Sequence, residues 1–354
     1  MKIGIVAPPW VPVPPVAYGG TELVIDLLAR GLDLAGHEVV LFTTGDSTCP
    51  VPMKYLLENS EGMKMGDVVI ELGHSLAAYE EMKDVDIIHD HTIVGPLASR
   101  GYANVPVVTT NHGPFQANTM EMWKGFSRRG IPIISISNDQ AKDADKDVKV
   151  SKVIHHGIDA TRIPEGEGEG DYLACLGRMA MDKGIHIAAQ VAREAGVPLR
   201  IGAKMREPLE HEYFETMVKP LLGDGVEYLG ELNTKDKFDL LGDAIGLLNP
   251  IQWSEPFGLV MIEALACGTP VITTPRGAAP EIIADGLTGF LCEDESEMIS
   301  AIGNISSISR RACRWESETT FSMKRMVEDH IDFYSEVIEK NELSQAINLN
   351  QVSV

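Results

Sequence analysis

The chain has 354 residues, which at roughly 100–200 residues per domain predicts two domains, and its 44% apolar content excludes disorder as the main state. Lys and Arg total 30 against 52 Asp and Glu, a net charge of −22 that repels phosphate backbones, so neither nucleic acid nor an anionic membrane is an expected partner. The five scattered cysteines (Cys49, Cys175, Cys267, Cys292, Cys313) contain no C-x-x-C, which argues against a zinc knuckle or a disulfide framework and for reduced, buried thiols.

Residues 1–9 carry one positive charge and a five-residue apolar run, too short for a signal sequence, and no segment reaches about 18 uncharged apolar residues. A soluble cytoplasmic protein is expected. Residues 3–7 read as a strand and 21–34 as a helix with Leu23, Leu27, Leu28 and Leu34 on one side; Gly36 stops it and 39–43 is the next strand. Further strands are predicted at 85–89, 105–110, 133–136 and 152–156. The Gly–acid alternation from Glu165 to Asp171 offers nothing to bury and reads as a linker, 161–171.

The pattern then restarts. Strands are predicted at 172–176, 199–201, 226–229, 244–248 and 271–274, with helices at 184–195, 209–221 and 259–266. The fold class is therefore α/β, with two doubly wound Rossmann-like domains, 1–160 and 172–322, facing across a cleft at the carboxyl ends of their strands. An amphipathic helix at 323–340 can pack on either half, and 341–354 is a tail.

In the first βα turn, Gly19-Gly20 lets backbone amides approach an anion at a helix end, with Thr21 placed as the cap and Glu22 in the first turn. The pair is not G-x-G-x-x-G, which disfavours a dinucleotide site, and an ordinary tight turn is the plainer alternative. At the equivalent place in the second half, Asp182 is a natural cap that puts Lys183 at the first helical position. Arg178 and Lys183 can converge there on a diphosphate, or be two solvated cations. From Leu259 to Cys267 every residue is apolar except Glu263, and an unpaired buried carboxylate is costly. Ribose hydroxyls would satisfy it, as would a backbone or basic partner. Glu255 lies before that helix beside the amides of Phe257, Gly258 and Leu259, a setting for sugar hydroxyls and phosphate.

Three histidines, His89, His91 and His112, fall at strand ends on one rim. A metal pair at His89 and His91 lacks a third ligand with suitable spacing, and no metal site is expected. Asp84-Val85-Asp86 is formally D-x-D but precedes its strand, on the wrong side of a parallel sheet for a ligand.

With Glu255 and Glu263 spaced as E-x7-E and Gly177-Arg178-x4-Lys183-Gly184 before them, the chain resembles retaining GT-B glycosyltransferases of family 4. The resemblance covers nearly the whole length. It includes Gly19-Gly20, His112, Ser135-Ile-Ser137, His156-Gly157-Ile158-Asp159, Gly268-Thr-Pro270, Gly277-x-x-Pro280-Glu281 and Asp285-Gly286. One departure is Asn249-Pro250-Ile251, where the family commonly has Pro-Ser.

The resemblance implies that Glu263 binds the donor ribose and that Arg178 and Lys183 bind the diphosphate and stabilise its departure. It further implies that Gly19 and Gly20 assist through their amides, that His112 contacts the transferred sugar and Glu255 its ring hydroxyls, and that the helix 323–340 crosses back to the first domain. The implied activity is a metal-independent, cofactor-free hexosyl transfer from a nucleotide sugar, UDP-sugar first and GDP-sugar second, to an unspecified hydroxyl acceptor. A non-catalytic nucleotide- or sugar-binding module on the same fold is the alternative. Residues 120–129 mix large apolar and basic side chains; a solvated helix or loop is expected there rather than a lipid contact.

Overall fold

The computed structural model describes residues 1–17, 19–99 and 105–352, with side chains up to residue 347. The chain forms two compact units, residues 1–155 with 323–354, and residues 156–322.

The first unit is built on seven parallel strands: β1 (Lys2–Val6), β2 (Glu38–Thr43), β3 (Met53–Tyr55), β4 (Ile87–Asp90), β5 (Val107–Asn111), β6 (Ile133–Ser135) and β7 (Val150–Val153), in the order β3-β2-β1-β4-β5-β6-β7. β4 and β5 are buried at every position, as sheets covered by helices on both faces require. Between β1 and β4 the order reverses, which opens a crevice at the carboxyl ends of these two strands.

In the second unit six parallel strands, β8 (Leu173–Arg178), β9 (Leu199–Lys204), β10 (Val226–Gly230), β11 (Gly246–Asn249), β12 (Val271–Thr273) and β13 (Gly289–Leu291), run in the order β10-β9-β8-β11-β12-β13. Here the reversal lies between β8 and β11. Leu173, Cys175, Leu199, Ile201, Leu248 and Ile272 join one core with Ala188, Ala189 and Val191 of the helix Ile185–Ala195.

Two expectations are corrected. Residues 161–171 are not a free linker. Their glycines are built into the second unit, where the amides of Gly166, Gly168 and Gly170 donate to the carbonyls of Cys267, Gly242 and Asp243. A Cβ at Gly166 would lie 2.2 Å from Gly242 Cα, so the alternating glycines permit backbone contact rather than freedom. The last helix, Met323–Val352, runs well past residue 340, because no Gly or Pro interrupts 341–352, and the expected tail is helical to that point; 353–354 lie outside the described residues. It belongs to the first unit, where Val327 packs against Gly31.

Elements not read from the sequence include the exposed edge strand β3, the helix Val68–Glu81 capped by Asp67, and the helix Thr234–Asp243 capped by Asn233. In the helix Met120–Arg128, Trp123 and Phe126 turn inward and pack edge-to-face with each other. Among the described residues no helix is long and apolar enough to cross a membrane. All five cysteines are free and buried.

Candidate functional site

In the second unit, β8 delivers Arg178 to its carboxyl end. Its Nη2 donates to Asp182 Oδ2 at 3.0 Å and its Nε lies 3.9 Å from Glu210 Oε1. Asp182 is therefore not the helix cap expected of it. The chain makes a 3-10 turn over Met181–Lys183, and the helix begins after Gly184, so Lys183 stands before the helix rather than at its first position. Gly184 has φ +65°, and a Cβ there would fall 2.1 Å from the Pro250 carbonyl oxygen; this approach brings the loop after β11 against the end of β8.

That loop carries Glu255. Lys183 Nζ and Glu255 Oε2 form an ion pair with both side chains about 15% exposed or less, and Trp253 Nε1 donates to the same oxygen at 3.0 Å. The backbone is locked too, since Ala278 N donates to the Glu255 carbonyl at 2.9 Å. Phe257 is buried against His156, and Gly258, at φ +94°, precedes the helix Leu259–Ala266, whose first amides have no acceptor within their own helix. One turn on, Glu263 is buried, and its Oε1 is taken by Lys237 Nζ from the helix Thr234–Asp243. The need for a partner follows from the sequence, but its identity does not, because Lys237 sits on a helix with no strong apolar periodicity.

Glu210 and Lys204 are also absent from the sequence reading. Lys204 pairs with Arg178 in register at the ends of β9 and β8. Glu210 is buried and accepts from the amides of Arg206 and Glu207 at 2.7 and 3.0 Å, leaving Oε1 facing Lys204 at 3.5 Å. Burial raises its carboxyl, but those two amides and the charges of Lys204 and Arg178 outweigh it and hold the group below its ordinary value. The rim thus sets four cations, Arg178, Lys183, Lys204 and Lys237, against carboxylates that face them.

The remaining expected residues lie in the first unit. The helix Gly20–Leu34 begins at Gly20 with Gly19 as its cap, which has no side chain to offer; Thr21 is inside the helix and does not cap it. Glu22 is buried beside them, and desolvation pushes its carboxyl up to about 7. His112, just past β5, shares a 2.7 Å hydrogen bond between its Nε2 and His91 Nδ1. The His91 ring lies against that of His89 at a tilt of 36°, with centroids 3.9 Å apart. Burial and the nearby His330 push His112 down to about 3. An uncharged imidazole at His112 is suited to hydrogen bonding with hydroxyls rather than to binding phosphate.

Comparison with known proteins bears on the family and the fold. The family model described as Glycosyltransferase Family 4 matches residues 18–162, and that described as Glycosyl transferases group 1 matches residues 159–311. A glycogen synthase of Mycobacterium tuberculosis is 26% identical, with 82% of this chain and 83% of that protein covered. The sucrose-phosphate synthase of Thermosynechococcus elongatus superposes with a TM-score of 0.80 at 18% identity, over 96% of this chain and 100% of that one. An Anabaena protein, HepE, solved in complex with UDP and glucose, gives 0.75 at 16% identity over 95% and 100%.

Proposed function

The chain belongs to family 4 of the glycosyltransferases and has the GT-B fold, and from that premise we propose that it transfers a hexose from a nucleotide sugar to a hydroxyl acceptor with retention of configuration and without a metal. A UDP-sugar is the first choice of donor and a GDP-sugar the second; the UDP and glucose held by the Anabaena neighbour support the former. One observation carries the reading. Arg178 at the end of β8 and Lys183 in the turn that follows it, paired with Glu255 from the loop after β11, lie where the strand order of the second sheet reverses.

A diphosphate entering this rim competes with Glu255 for Lys183 and with Asp182 for Arg178. Exchange at Lys183 releases the Glu255 carboxylate to accept from sugar hydroxyls, while Glu263 accepts from the ribose. As the bond between the anomeric carbon and the diphosphate oxygen breaks, its electron pair passes to that oxygen, and the fixed charges of Arg178 and Lys183 stabilise it. The acceptor oxygen bonds to the same face, and its proton goes to the departing phosphate. The Gly19 and Gly20 amides are further groups for the donor diphosphate, and His112 is the group for the transferred sugar. Two cations match a diphosphate in charge, so no metal is required. The free, buried thiols support a reducing, cytoplasmic setting.

A thermal-shift screen against UDP-, GDP- and ADP-sugars tests the donor, since a ligand at 100 times its Kd stabilises by about 2.7 kcal/mol. Transfer that persists in both Arg178→Ala and Glu263→Ala, with the fold intact, would sink the reading. Undiminished turnover in EDTA is expected.

A further inference from the structure

We propose that Lys237 is a positioning residue for the donor ribose: it holds one oxygen of Glu263 and so leaves the other aimed as a lone acceptor for a ribose hydroxyl. This rests on Glu263 being the ribose-binding group.

The geometry around the pair is specific. Glu263 is the one polar residue of the helix Leu259–Ala266, and its side chain is 7% exposed. Lys237 Nζ takes Oε1; Oε2 accepts no hydrogen bond from the described residues and is not among the enclosed polar atoms. A carboxylate half used by the protein and half open is shaped for an outside donor.

Two contacts hold Lys237, and a third holds its neighbour Phe238. Its amide donates to the Asn233 carbonyl at 2.9 Å, in a first turn that Asn233 Oδ1 caps through Asp236 N. Its ammonium lies 4.7 Å from the centre of the Phe238 ring. Cys267 Sγ, one turn beyond Glu263, reaches the Phe238 carbonyl oxygen at 3.9 Å, which pins the two helices together.

Lysine suits this task because its ammonium is a point donor that occupies a single oxygen. Arginine would keep the charge and the ion pair, but its planar fork binds both oxygens of a carboxylate and would close the open one. A purely structural ion pair would gain from that change. A positioning role loses by it.

The test uses the full chain and compares affinity for UDP with that for 2′-deoxy- and 3′-deoxy-UDP by calorimetry, or for GDP and its deoxy forms if wild type binds GDP more tightly. Wild type is expected to prefer the intact ribose by about tenfold or more. Lys237→Arg should unfold at the wild-type temperature or above, yet its preference should drop to within about threefold. Lys237→Met should lose the preference as well. An Lys237→Arg protein that keeps the wild-type preference overturns the proposal, whatever Lys237→Met does. Glu263→Gln separates the two levels. If it loses the preference while Lys237→Arg keeps it, only the role of Lys237 falls. If Glu263→Gln keeps it too, or wild type binds neither nucleotide, the ribose reading falls with it.

Discussion

Tyr334 Oη and His89 Nδ1 share a 2.6 Å hydrogen bond across 245 positions of sequence, which fastens the C-terminal helix to β4 inside the first unit. On its other side, His89 Nε2 meets Thr110 Oγ1 at 2.7 Å, so both nitrogens of a fully buried ring are satisfied. Tyr334→Phe keeps the packing and orphans Nδ1. The expected loss of unfolding free energy is about 1–3 kcal/mol, read by urea titration; a loss below a few tenths would show that the hydroxyl is not needed.

Glu22 gives the stability of the first unit a pH signature. Burial raises its carboxyl from 4.5 to about 7, so the native state binds the proton more tightly than the unfolded chain. The stability it contributes is present in full below pH 4.5 and is lost as pH rises through about 7. Glu22→Gln removes that loss. Relative to wild type, the variant should gain up to about 3 kcal/mol between pH 4 and pH 8. The buried His112, His330 and His74, pushed down to about 3, 4 and 4, make both proteins less stable as pH falls below 6.5 and cancel in the difference. Thermal unfolding of both proteins across this range checks the sign.

Glu255→Gln separates donor binding from transfer. The change removes the charge that pairs with Lys183, which frees that ammonium for the diphosphate. UDP affinity should hold or improve, whereas the transfer rate should fall by about 100-fold or more through loss of the carboxylate at the sugar. Calorimetry with UDP and initial rates with the donor distinguish these effects, and a parallel loss of both would refute the exchange.

Arg310 is expected to be the most sensitive fold position of the second unit. Its guanidinium donates to the carbonyls of Gly166, Gly242, Ala244 and Cys267 and to Thr269 Oγ1, closing the glycine segment onto the helix ends. Arg310→Lys keeps the charge but cannot span five acceptors with one nitrogen, and should cost about 2–4 kcal/mol in chemical denaturation. A loss under about 1 kcal/mol would mean that the segment holds itself.

How far the site is legible in the sequence depends on whether a residue acts through its local spacing. Arg178, Lys183, Glu255 and Glu263 stand at fixed offsets from strand ends and helix starts, and Gly258 and Gly268 mark the helix on which Glu263 lies. Lys204 ends β9 beyond the 199–201 expected of that strand, and Glu210 and Lys237 carry no such offset. They reach the rim from neighbouring strands and helices, and an isolated Lys or Glu on a polar helix looks like any solvated charge. The segment 161–171 misleads for a related reason: glycine signals freedom in a chain without neighbours and close backbone contact in one that has them.

By itself, the sequence determined the alternation of strands and helices, the two parallel sheets and the need of Glu263 for a partner, because hydrophobic period, capping residues and the cost of burying a carboxylate are local properties. Only the tertiary structure decided that the partner is Lys237, that Asp182 serves Arg178 instead of capping a helix, and that His89 is held by Tyr334. Those choices depend on distances between residues remote along the chain. Such distances are fixed by how strands order in the sheet and how helices pack on it, not by any pattern of adjacent residues.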